Sequence, residues 1–209
     1  MSAIYNIVAG QNRERLAGLS DGIFAVVMTL LVLDLRVPSV EAVSSEQELL
    51  GALGELSVRL LPYVMSFMTL GIFWVGQQTQ LNQFVRSDRN LTWIHLGFLL
   101  AVTLMPFSTG LLAEFPTYRT ALVIYWLNIL VLGLALYVSW WYAWRAGLVR
   151  EDTSPDMKAA TERRIIYAQG LYAFGALLCV FNTYVSIVFI ILVQLNYVFA
   201  PKVGPLYRL

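Results

Sequence analysis

The sequence predicts an all-α integral membrane protein with six transmembrane helices per chain, the first of them central. Three observations carry this. First, of the 209 residues 58% are apolar and only 13% are charged, with a mean hydropathy of +0.67; a soluble domain carries about 25% charged residues. Second, the apolar residues come in runs near the ~20 residues that a helix needs to cross a bilayer. Third, short polar segments with helix-capping residues separate those runs. The net charge of +1 implies no acidic polymer and no nucleic-acid partner. The single cysteine, Cys179, sits in an apolar run, so no internal disulfide and no metal-site spacing is present. No cleavable leader is expected in residues 1–14, which contain Asn6, Gln11, Asn12, Arg13 and Glu14.

The first span, 16–36, organises the rest. Asp21 and Asp34 bracket 12 uncharged residues, which cover roughly 18 Å of helix, short of the ~30 Å hydrocarbon layer. A spanning helix here carries a carboxylate into or near the membrane. That costs at least ~2.5 kcal/mol against lipid, so the helix belongs where protein or water faces it. A lipid-facing span with both aspartates at the interfaces is the alternative. In residues 37–59, Ser45 and Glu48 have capping-box spacing, and leucines 49, 53, 56 and 60 share a helical face. They predict a short amphipathic helix on the membrane surface. Pro62 then falls in the first turn of the second span, 60–80, where its missing N–H is harmless.

Asn90 is the expected cap of the third span, 91–113, with Pro106 as a kink. The fourth span, 120–144, has 25 residues and no charge. Residues 165–201 hold no charged side chain over 37 positions; the break Asn182-Thr183 divides them into spans 165–181 and 184–200. All of 1–209 reads as one six-span domain. With the N-terminus inside, inner segments hold 11 Lys and Arg, among them Lys202 and Arg208, against three outside (Arg36, Arg59, Arg119). Both termini are therefore expected in the cytoplasm.

No nucleophile–base pair is visible, and spans four to six offer only Asn, Gln, Ser and Thr as polar groups. An enzyme is not expected. His95, the lone histidine, reads as a hydrogen-bonded packing residue, and Cys179 as core. On a helical wheel Ile23, Val26, Leu30 and Leu33 fall within about 80° of one another. Thr29 flanks them, Asp34 lies on the other flank at the outer end, and Asp21 faces away. Core packing is one reading of this stripe. The other is a pore wall, which one chain cannot enclose and several copies around an axis can.

Arg15, then Leu19-Ser20-Asp21-Gly22, then Ile23-Phe24-Ala25 and Thr29-Leu30-Leu31, resembles the R-x-x-x-F-S-D-G signature of the TMEM175 family of potassium channels. The second span's Phe73-Trp74 and the six-span layout are similar too. The resemblance implies a homotetramer in the plasma membrane whose first helices line a pore for K⁺ and other monovalent cations, with no cofactor. It implies a constriction at Val26, further rings at Leu30, Leu33 and Ile23, and Thr29 behind the constriction contributing to cation preference. Arg15, Ser20 and Asp21 match a buried polar network, with Trp74, Gln77 and Gln78 on the second span. Two departures stand out. Leu19 replaces the motif Phe, and Gln77 and Gln78 stand where the family commonly has histidine. Asp34, repeated around the outer mouth, would concentrate cations. A secondary, proton-coupled transporter and a non-conducting structural protein are the competing functions; against the transporter stands the lack of charge in spans four to six and of matched broken helices.

Overall fold

The computed structural model describes residues 12–39 and 43–199, with the side chain of residue 58 aside. Lys202, Arg208 and the end of the sixth expected span at residue 200 lie outside the described residues. The described residues form seven α-helices in chain order: α1 (Arg13–Leu30), α2 (Glu46–Gln83), α3 (Arg89–Thr103), α4 (Met105–Glu114), α5 (Arg119–Arg145), α6 (Pro155–Leu177) and α7 (Thr183–Phe199). A 3-10 turn, Leu31–Asp34, extends α1, and another, Leu178–Val180, follows α6. Among the described residues the only strand-like pairing is the bridge Phe84↔Val149. The chain is all-α.

The second helix differs from its expectation. Ser45 does cap it, its hydroxyl accepting the Glu48 N–H at 3.2 Å, while the Glu48 carboxylate accepts from both the N–H and the hydroxyl of Ser44. Those bonds hold the Glu48 carboxyl below the usual carboxylate range. Beyond the cap, no separate surface helix forms. One helix of 38 residues, roughly 57 Å, runs through Pro62 in its interior. Ser57 and Arg59 lie between Leu56 and Pro62, but no Gly does, and both polar residues are accommodated within the helix, so the two segments merge.

The third span is capped by Asp88 rather than Asn90: its carboxylate accepts the Leu91 N–H at 2.8 Å, while the Asn90 amide donates to the Tyr142 hydroxyl. Asp88 stands one residue outside the helix, with extended backbone, where a cap belongs. At Leu104 the chain breaks and restarts as α4 with Pro106 in its first turn, the kink its sequence predicts. The α6–α7 division falls at Asn182, whose side chain accepts from the N–H groups of Tyr184 and Val185. Among the described residues, four helical stretches are long and apolar enough to cross a membrane: Arg13–Asp34, Glu46–Gln83, Arg89–Glu114 and Arg119–Arg145. α7 is shorter and apolar. α6 begins ten residues before the expected span, taking in the charged stretch from Pro155 to Arg164.

One core cluster joins all these helices around Leu70, Phe98, Val102, Ile129 and Ile190. Within it lies a polar weld. The Thr109 hydroxyl donates to Ser66 at 2.6 Å, Ser66 and Thr69 reach the Tyr125 hydroxyl at 3.3 and 3.2 Å, and the Gln194 amide donates to Thr69 at 2.6 Å. These bonds tie α2, α4, α5 and α7 where no water competes.

Candidate functional site

α1 shows two faces. Leu16, Phe24, Val27 and Leu31 are 5, 2, 3 and 0% exposed, while Val26, Leu30 and Leu33 are 57, 42 and 67% exposed. With the buried Ser20, these positions stand at i, i+4, i+8, i+11 and i+15, so the helix packs on its own subunit along one stripe and leaves a second, about 110° around from it, bare. Leu19, at 45%, continues the bare stripe toward the N-terminus. Ile23 does not belong to it: it is half-buried and packs on the core. Its wheel position, at the edge nearest Val27, explains the difference. Within the subunit, Ile23 packs on the core and Val26, Leu30 and Leu33 do not.

Polar contacts fix the rotation of this helix. Asn12 caps it, accepting the Arg15 N–H at 3.0 Å, and Arg13 donates to the Phe84 carbonyl at 2.7 Å. Two turns further in, the buried Ser20 hydroxyl donates to the Leu16 carbonyl and accepts from the Gln77 amide at 2.9 Å. Asp21 Oδ1 accepts from the Trp74 indole N–H and from the Gln78 amide, each at 2.8 Å. Trp74, Gln77 and Gln78 lie one turn apart on α2, so they grip two adjacent α1 residues together. Five of the six expected network residues meet here.

Arg15 stands apart. It is exposed, and among the described residues its side chain forms no ion pair; the two ion pairs are Arg59–Glu114 at 2.8 Å and Arg150–Asp152 at 3.1 Å. Six residues before Asp21, it points about 120° away, onto the Val26–Leu33 stripe. Asp21 itself is exposed rather than buried in the single subunit.

Thr29 is exposed beside Val26, and its hydroxyl donates to the Val26 carbonyl at 2.7 Å, with the Ala25 carbonyl at 3.1 Å. Its proton is engaged by backbone, so the oxygen is presented outward as an acceptor. Asp34 ends the 3-10 turn half-buried, its carboxylate turned toward α4. A Cβ at Gly110 would stand 3.1–3.3 Å from that carboxylate, whose Oδ2 is buried with no hydrogen-bond partner among the described residues. Asp34 thus leans on its own subunit instead of continuing the stripe. Gly110 gave no sequence signal of this contact beyond being a glycine inside a helix.

His95 is buried with Nδ1 against the Leu91 carbonyl at 3.1 Å and its ring edge-on to Phe84. That is the packing role its setting predicts. Cys179 is buried and free. No cluster of three or more His, Cys, Asp or Glu side chains suited to a metal exists among the described residues.

Comparison with known proteins agrees with this arrangement. The family model for "Endosomal/lysosomal potassium channel TMEM175" matches residues 15–106, which cover the α1 stripe, the α2 bracket and the kink. A protein described as a potassium channel in Streptomyces collinus is 34% identical over 160 residues, 75% of this chain and 76% of the relative. A zebrafish protein described as an endosomal/lysosomal proton channel is 22% identical over 193 residues, covering 90% of this chain and 35% of its own. The crystal structure of a lysosomal potassium-selective channel TMEM175 homolog from Chamaesiphon minutus superposes with a TM-score of 0.79 at 24% identity, over 90% of this chain and 96% of that one. The chain is a multi-pass membrane protein that belongs to the TMEM175 family, a channel family and not a family of enzymes.

Proposed function

We propose that this protein is a passive, potassium-preferring cation channel of the plasma membrane. Four copies surround one axis, each contributes six spans with both termini in the cytoplasm, and α1 lines the pore. The observation that carries this reading is the bare stripe Leu19–Val26–Leu30–Leu33. The uncovered side of α1 also carries the exposed Arg15 and Asp21, which lipid tolerates poorly, and copies of the helix around a water-filled axis would accommodate both the charges and the apolar stripe. The Streptomyces relative, described as a potassium channel, supports the choice of ion.

The mechanism follows from the side chains. Four Val26 side chains offer no ligand to replace an ion's hydration shell, so this ring is a dewetting barrier that ions cross largely hydrated. K⁺ holds its water less tightly than Na⁺, which gives a modest preference. The Thr29 oxygen accepts hydrogen bonds from the water that travels with the ion. Asp34, held against Gly110, acts through its field on cations near the outer mouth and not as a ligand. The bracket on Asp21 and Ser20 sets the rotation of α1, hence which residues reach the axis.

Purified protein in proteoliposomes tests this by K⁺ against Na⁺ flux under an imposed potential. Passive flux with K⁺ ahead of Na⁺ is expected; flux that needs a counter-transported ion, or none, contradicts it. The zebrafish relative's description favours a second reading, proton conduction, and proton flux in the same vesicles with K⁺ absent separates the two.

A further inference from the structure

We infer that each subunit carries an anionic-phospholipid site between α2, α5 and α6, apart from the pore helix. It rests on the chain's place in the membrane and not on whether the protein conducts. A cavity of about 390 Å³ opens there, with Ile72, Leu136, Ala160, Ile165 and Ala168 among its apolar wall residues. The side chain of Gln169 fills the space over Gly133, where a Cβ would collide with it, and so forms one wall of the cavity. Arg164 stands in the lining, its guanidinium 5.5 Å from the Tyr197 ring centroid. It is exposed and has no acidic partner among the described residues.

Its surroundings repeat the pattern. Lys158 lies 5.4 Å over Trp144, and Arg145 lies 4.7 Å over Trp141. Three cations over three aromatic rings gather toward this end of the bundle, interspersed with Asp156 and Glu162, and cation–aromatic pairs of this kind suit headgroup depth. The cavity beside these pairs combines an alkyl-sized apolar slot with an unpaired guanidinium. A molecule with an acyl chain joined to a phosphate is complementary to both at once, and basic pockets between membrane helices take such headgroups. A guanidinium bonds a phosphate through paired N–H groups. A zwitterionic lipid supplies the same chain but brings its own cation to these pairs.

Native mass spectrometry of the purified full-length assembly, titrated with phosphatidylglycerol or with phosphatidylcholine of matched chains, tests this. The wild type is expected to bind phosphatidylglycerol the more tightly. Arg164→Gln is expected to weaken that binding about ten-fold, as loss of one charge-assisted hydrogen bond implies, and to leave phosphatidylcholine unaffected. Arg164→Lys should retain most of the preference. Ala168→Leu, which fills the slot and spares the charge, should weaken both lipids. Equal affinity of wild type and Arg164→Gln for phosphatidylglycerol overturns the assignment, as does an Ala168→Leu assembly that binds both lipids unchanged. A second copy of the chain seated in the slot would instead cross-link subunits through Thr161→Cys and leave lipid binding insensitive to every variant, which also overturns it.

Discussion

Substituting Asp21 tests the claim that this carboxylate holds the pore helix and does not meet the ion. It accepts two hydrogen bonds at 2.8 Å, from Trp74 and Gln78. A hydrogen bond to a charged acceptor contributes about 1.5–3 kcal/mol, and the exposure of both ends selects the lower figure, so Asp21→Ala should cost about 3 kcal/mol per subunit. Asp21→Asn keeps an oxygen that accepts the same two donors and loses only the charge, for about half that cost. At about 2–4 °C per kcal/mol for a chain of this size, melting should fall by about 6–12 °C for Ala and about 3–6 °C for Asn. Size-exclusion chromatography after graded heating reads this, and reversal potentials in mixed K⁺/Na⁺ solutions read ion preference, which should change little. An assembly of unaltered stability with its selectivity abolished would refute the reasoning and put Asp21 in the ion path.

Val26→Asn should remove the dewetting barrier and raise current, while Thr29→Val should lower K⁺ over Na⁺ preference and leave assembly intact; reversal potentials and unitary currents check both. Gly110→Ala places a methyl 3.1–3.3 Å from the Asp34 carboxylate, a mild overpacking that should cost about 1 kcal/mol. Combined with Asp34→Ala that cost should largely vanish, and additive melting shifts would deny the contact. The bracket holds Gln77 and Gln78 and no group whose ordinary pKa lies between 5 and 8, so K⁺ flux should be flat between about pH 5.5 and 7.5; a steep change there would assign proton sensing to another part of the chain.

The helices and the bare stripe were legible in the sequence because both rest on strong periodic signals: uncharged runs, and Val26, Leu30 and Leu33 on one wheel face. The meeting of Ser20 and Asp21 with Trp74, Gln77 and Gln78 was legible only through resemblance to a family motif, since nothing local says which distant helix answers a carboxylate. Other features were not legible, the merging of the expected surface helix into α2 among them. Ile23 shares an arc with Val26 but sits at its edge, where neighbour packing decides. The cap at Asp88 competes with Asn90 two residues on, and single-residue shifts at helix ends are set by backbone angles. The lean of Asp34 onto Gly110 depends on the 3-10 turn at Leu31–Asp34, which tightens the last turn and spoils an ideal α-helical wheel. Arg15 was grouped with Asp21 by motif, whereas 1.5 Å and 100° per residue carry it about 120° around the helix, onto the Val26–Leu33 stripe.

That Val26 of several copies meets on one axis is tested most directly by Val26→Cys with Cd²⁺ block of K⁺ flux in proteoliposomes. Thiolates from neighbouring subunits converging on an axis form a soft-metal site. The native Cys179 is buried in the core, so the parent protein should be insensitive. Val32→Cys, exposed at 47% but about 120° around the helix from Val26, serves as the control. Block of Val26→Cys, reversed by a chelator and absent in Val32→Cys, is the predicted result; a conducting Val26→Cys channel indifferent to Cd²⁺ would contradict a pore lined by this face of α1.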